Sequence, residues 1–155
     1  MMAWLPIFFL YFNIGLDIKD VILLESIYYF SVFLLEVPSG YFSDILGRKT
    51  TLIISSIAFS CSYIMFGFIE PDFFLFAIAQ ILLAVGFSFM SGTNTAFYYE
   101  SLAAQGMENQ FPEREAKVQS YLRYSGAVAA LLGGIVGSIQ LRYGYVISLI
   151  FMVPA

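Results

Sequence analysis

Glu36-Val37-Pro38-Ser39-Gly40-Tyr41-Phe42-Ser43-Asp44-Ile45-Leu46-Gly47-Arg48-Lys49-Thr50 is the stretch on which the reading of this chain turns. It closes one long apolar block and opens the next, with its charges at the junction. Gly40 offers a neighbouring helix close approach, and Asp44 places a carboxylate at the membrane edge. Gly47 permits a tight reversal, and Arg48 with Lys49 hold the loop on one side. The spacing from Asp44 to Arg48 lets opposite charges meet across a short turn. The stretch therefore reads as the end of one membrane span and the start of another.

Composition agrees. Sixty per cent of the 155 residues are hydrophobic and 12 per cent charged, against about a quarter charged in soluble domains. So few polar groups cannot solvate a compact globule, and lipid is the expected solvent. His is absent and Cys61 stands alone in an apolar run, which leaves no disulfide framework, no Cys/His metal set and no Cys–His nucleophile. No enzyme chemistry and no cofactor are expected. The net charge of −4 comes from charges clustered between apolar blocks, which read as loop solvation and topology signals, so no nucleic-acid partner is inferred.

Working outward, four full-length spans are expected at about residues 21–42, 51–69, 73–97 and 121–140, each near the ~20 residues needed to cross the hydrocarbon. The apolar blocks 4–14 and 145–155 are too short and read as incomplete spans. The first lacks a leading Lys or Arg and an Ala-x-Ala-like cleavage site, so it does not read as a secretory signal. The expected fold is an all-α membrane protein of six transmembrane helices, the first and last incomplete. Continuous apolar runs exclude an alternating β-barrel pattern. Residues 112–123 alternate charges at helical spacing and read as an interfacial helix running into the fifth span. Arg48, Lys49, Arg114, Lys117 and Arg123 fall on one side of the membrane and Lys19 and Arg142 on the other, which places the loop between the second and third helices in the cytoplasm.

Small residues recur every three or four positions at Ala84, Ser88 and Gly92, and again at Gly126, Ala130, Gly133, Gly134 and Gly137. These seams read as ordinary helix packing, with a rocking hinge as the sharper alternative.

The quoted stretch resembles the hallmark loop of the major facilitator superfamily (MFS), approximately Gly-x-x-x-Asp-x-x-Gly-Arg-Lys/Arg between helices two and three. It matches at Gly40, Asp44, Gly47, Arg48 and Lys49, with the acidic-x-Pro-x-Gly lead-in Glu36 to Gly40 that is frequent in bacterial members. The resemblance covers essentially the whole chain and implies the N-terminal half of the twelve-helix MFS fold in a bacterial plasma (inner) membrane. It also implies that Asp44 and Arg48 form a gate latch that stabilises the outward-open state against the other half. Glu100, at the cytoplasmic end of the fourth helix, is either a third member of that latch or a solvated carboxylate. The antiporter patterns of the family are met only in part. Gln80 stands where those members carry Arg, with Gly86 at the last glycine, and Ala130 stands where they carry Pro before Gly133 and Gly134. Proton-coupled drug efflux is weakened accordingly.

An ionisable residue within a span is a functional candidate, since a bare charge there costs at least ~2.5 kcal/mol. Glu25 and Glu36 qualify. They lie on nearly one helix face but about 16 Å apart along the axis, so they cannot share a small site. Glu25 reads as facing a wet vestibule. Glu36 reads either as bonded to an adjacent helix or as a proton-coupling group. Asn13, Gln80, Asn94, Tyr98 and Tyr99 are candidates to line a central cavity. The expected function is transport of a small solute by alternating access, with the lipid bilayer, a second six-helix half, a small-molecule substrate and a candidate coupling proton as partners. The alternatives are a non-transporting membrane fragment or scaffold, and a half-size transporter that dimerises.

Overall fold

The computed structural model describes Phe12 and residues 15–139. Four long helices stand among them: α1, Ile18–Leu46; α2, Arg48–Phe68; α3, Phe73–Ala103; and α4, Phe111–Ile139, preceded by a 3-10 turn, Glu108–Gln110. The first three are long and apolar enough to cross a membrane. The expected incomplete spans at 4–14 and 145–155 lie outside the described residues, Phe12 excepted, so four of the six expected helices are described.

The helices outrun the expected spans for a simple reason. Hydropathy marks where hydrocarbon begins and ends, whereas backbone hydrogen bonding continues into water. Thus α1 has 29 residues and α3 has 31, about 44 and 46 Å at 1.5 Å per residue against a core of ~30 Å. Pro38 lies inside α1 without ending it, and one residue on the Ser39 hydroxyl donates to the Glu36 carbonyl at 2.9 Å. The polar stretch 112–123 is helical and runs on into the expected fifth span, since α4 extends from Phe111 to Ile139 without a break.

Each connection has its own stop. Gly47 alone separates α1 from α2, at φ +84° and ψ 145°, a region L-residues scarcely enter. Asp72 caps α3, its carboxylate accepting from the Leu75 amide at 3.0 Å. The far end of α3 closes in a Schellman motif. The Met107 amide donates to the Leu102 carbonyl and the Gly106 amide to that of Ala103, with Gly106 at φ +67°.

α3 lies between α1 and α2, which touch each other little. One end of this three-helix layer is an aromatic core in which Phe12, Phe66 and Phe76 pack with ring centroids 5.1–5.2 Å apart. The α2–α3 seam is polar on one side. Ser55 donates to the Gly86 carbonyl at 2.6 Å and Ser62 to the Ala79 carbonyl at 2.9 Å, seven residues apart on each of two antiparallel helices. α4 docks through its first turn, with the Phe111 ring against Tyr98 and Tyr99.

The seams are corrected in detail. Ala84 and Ser88 are buried, but Gly92 is exposed and a Cβ there would meet nothing within 4 Å. The close approach on α3 is at Gly86, where a Cβ would lie 2.9–3.0 Å from the Phe59 ring. On α4, Gly126, Ala130 and Gly134 are exposed, with open space at both glycines. The surroundings of Gly133 and Gly137 lie outside the described residues.

Candidate functional site

The α1–α2 turn brings three helices to one guanidinium. Because Gly47 reverses the chain in a single residue, Arg48 opens α2 directly beside the last turn of α1. Its Nη2 lies 2.9 Å from an Asp44 carboxylate oxygen, and its Nε donates to Glu100 on the last turns of α3 at 3.3 Å. Its Nη1 donates to the Ser43 hydroxyl at 2.9 Å. Ser43 in turn accepts from the Thr93 hydroxyl of α3 at 2.9 Å. Asp44, Arg48 and Glu100 are therefore one cluster, although Glu100 lies 52 residues beyond Arg48 in sequence.

The cluster has a wet rim and a dry floor. The Asp44 and Glu100 side chains are 66% and 55% exposed and that of Arg48 is 25% exposed, whereas Ser43 and Thr93 are 1% and 3% exposed. Exposed ion pairs contribute about 0–1 kcal/mol each. A hydrogen bond to a charged group is worth about 1.5–3 kcal/mol. The carboxylates thus supply charge, and the buried hydroxyls supply most of the fixed geometry.

Other motif positions behave differently. Lys49 is exposed. Gly40 was expected to admit a neighbouring helix, but a Cβ there meets nothing within 4 Å and the residue is exposed. No described helix uses that approach.

The in-span carboxylates separate as their spacing requires. Glu25, half-buried, accepts from Gln80 Nε2 at 3.1 Å across the α1–α3 interface, so it is packed between helices. Glu36 is exposed, and its carboxylate makes no hydrogen bond or ion pair among the described residues. Gln80 itself is 2% exposed, which removes it from the expected cavity. Asn94 and Tyr98 do come together, lining a cleft of about 230 Å³ between α3 and α4 with Ser101, Glu115 and Gln119. Tyr99 packs on Phe111 instead, and Asn13 lies outside the described residues. Among the described residues no group of His, Cys, Asp and Glu could hold a metal ion.

Ser43 and Thr93 were missed from sequence. Ser39 and Ser43 do recur at a one-turn spacing inside an apolar span, which marks a packed face. Thr93 carries no such signal, since its partner is 50 residues away.

The family model described as Major Facilitator Superfamily matches residues 1–155, the whole chain. The chain belongs to the Major Facilitator Superfamily. As a superfamily member with three described helices long and apolar enough to span, it is an integral membrane protein of a transporter family. Comparison with curated proteins and with solved structures gave no match.

Proposed function

We propose that this chain is the N-terminal six-helix part of a secondary transporter that moves a small solute by alternating access, with Asp44, Arg48 and Glu100 as its gate latch. The observation that carries the reading is Arg48 bridging α1 and α3 from the first residue of α2. Three helices meet at one cation there, so a conformational change that separates their ends has to break charged hydrogen bonds at a defined point. Because the rim is water-exposed, those bonds break at small cost, as a reversible gate requires. Gly40, Gly47 and Lys49 complete the latch, with Gly40 facing a second six-helix half that the described helices do not supply.

Arg48 and Lys49 lie at the same end of the bundle as the start of α4, which bears Arg114, Lys117 and Arg123. This supports a cytoplasmic α1–α2 turn in a bacterial inner membrane. The Asn94–Tyr98 cleft is the candidate solute-facing site, the Glu25–Gln80 pair packs α1 against α3, and Glu36 is the candidate proton-coupling group.

Flux in proteoliposomes containing the full-length protein, over a panel of small organic solutes with and without an imposed proton gradient, tests this. Saturable flux is expected for the wild type and is lost in Asp44→Ala and Glu100→Ala, and Glu36→Gln loses the response to the gradient. A Glu100→Ala protein with wild-type flux removes Glu100 from the latch. Retained gradient response in Glu36→Gln removes the coupling role.

A further inference from the structure

Beneath the charged rim, the contacts of Arg48 are unequal in kind. Two reach carboxylates that are more than half exposed, and carboxylates on helix ends hold a guanidinium loosely because water competes for every donor. The third reaches Ser43, whose hydroxyl is buried from solvent and is itself held by Thr93 from the facing helix. A serine on a helix ordinarily turns its hydroxyl back to the carbonyl one turn earlier, as Ser56, Ser60 and Ser101 do here. Ser43 makes no such bond among the described residues. Its oxygen is the acceptor for both Thr93 and Arg48, one from each side.

We infer that Ser43 and Thr93 form a buried positioning pair: Thr93 fixes the Ser43 rotamer, and Ser43 then fixes the Arg48 guanidinium so that its remaining edges meet Asp44 and Glu100 together. The inference rests on the latch reading and adds to it an internal sensor. The Thr93–Ser43 bond crosses from α3 to α1, so it forms only when those two helices are in the register described. Sliding or rotation of α3 against α1 releases Ser43, and Ser43 loosens Arg48 from below while Glu100, also on α3, shifts at the rim. Arg48 thereby reports the α1–α3 register at the membrane edge. Neither residue is a catalytic or solute-binding group in this scheme. Each acts through Arg48.

The test needs no substrate. The full-length protein in detergent micelles is treated with phenylglyoxal, which reacts with free guanidinium groups, and the modification rate at Arg48 is read by peptide mass spectrometry against Arg123 on α4 as internal standard. Thr93→Val preserves side-chain shape and removes the hydroxyl, while Thr93→Ser keeps the hydroxyl and removes the methyl. The expected result is that Thr93→Val speeds modification of Arg48 about fivefold, the factor corresponding to one net neutral hydrogen bond, and Ser43→Ala about tenfold or more, since its bond is to a charged group, while Thr93→Ser stays at the wild-type rate. Ser62→Ala, which loses an interhelical bond far from the turn, stays at that rate too.

If Thr93→Ser speeds the reaction as much as Thr93→Val, or Ser62→Ala does so, the effect is general loosening and the positioning role is overturned. If Thr93→Val and Ser43→Ala react at the wild-type rate while Asp44→Asn and Glu100→Gln react faster, the carboxylates alone hold Arg48. The latch reading then survives without the pair. If Asp44→Asn and Glu100→Gln also leave the rate unchanged, the latch reading falls with it.

Discussion

Ser55 donates its hydroxyl to the carbonyl oxygen of Gly86 at 2.6 Å, where the Phe59 ring of α2 lies close against the α3 backbone. The two residues depend on one another. Without a Cβ on Gly86 the Phe59 ring can lie against the α3 backbone, and this approach brings the carbonyl within reach of Ser55. Gly86→Ala is expected to destabilise the protein by about 1–3 kcal/mol, since a buried ring must shift to admit the methyl. Ser55→Ala should cost only about 0.6 kcal/mol, the average for interhelical hydrogen bonds in membranes. Unfolding midpoints in micelles rank the two, and a Ser55→Ala effect equal to that of Gly86→Ala would contradict the packing argument.

Two glycines of the hallmark stretch should part company. Gly47 occupies a backbone region at φ +84° that is close to glycine-only, so Gly47→Ala is expected to lose about 1–3 kcal/mol. Gly40 sits within α1 with open space around it, so Gly40→Ala should leave unfolding of the described helices unchanged or improve it by about 0.5–1 kcal/mol through helix propensity. Stability and flux measured on the same preparations separate the roles. Lost flux with intact stability in Gly40→Ala would place Gly40 against the second half proposed above, and retained flux would remove it from the latch.

The Glu25–Gln80 pair places a carboxylate and its amide donor between α1 and α3. Gln80→Leu strips the donor from an acid inside the span and is expected to cost about 1.5–3 kcal/mol. Glu25→Gln keeps a polar neighbour and should cost less. If the double variant Glu25→Leu/Gln80→Leu is as unstable as Gln80→Leu alone, the orphaned carboxylate is not the cause of the loss.

At the start of α4, Lys117 Nζ lies 2.7 Å from a Glu113 carboxylate oxygen one turn away. The hydrogen bond and charge of Lys117 hold the Glu113 carboxyl below its ordinary range. A depressed folded-state pKa means that the pair's contribution is present above the ordinary glutamate range and fades as pH falls through the lowered value. Amide protection across residues 113–117, corrected for intrinsic exchange, should therefore drop on acidification in the wild type and stay flatter in Lys117→Gln. Equal pH dependence in both would assign the effect to another carboxyl.

The division between what sequence and tertiary structure decide can be followed through single residues. Apolar run length and the Asp44–Gly47–Arg48 punctuation are local properties, and they suffice for membrane helices, for a tight reversal at Gly47 and for the resemblance to the Major Facilitator Superfamily that the whole-chain family match bears out. The reach of the helices past the apolar runs was not legible, because hydrogen bonding does not stop where hydropathy does. Nor was the rotation of each helix. Gly86 and Gly92 are both small residues on α3, yet only Gly86 meets a ring, because the pairing of α3 with α2 turns Gly92 outward. That Glu100 reaches Arg48, and that Thr93 meets Ser43 beneath them, depends on the register of α3 against α1. Register is set by the packing of side chains far apart in sequence, and no local pattern in either helix encodes it.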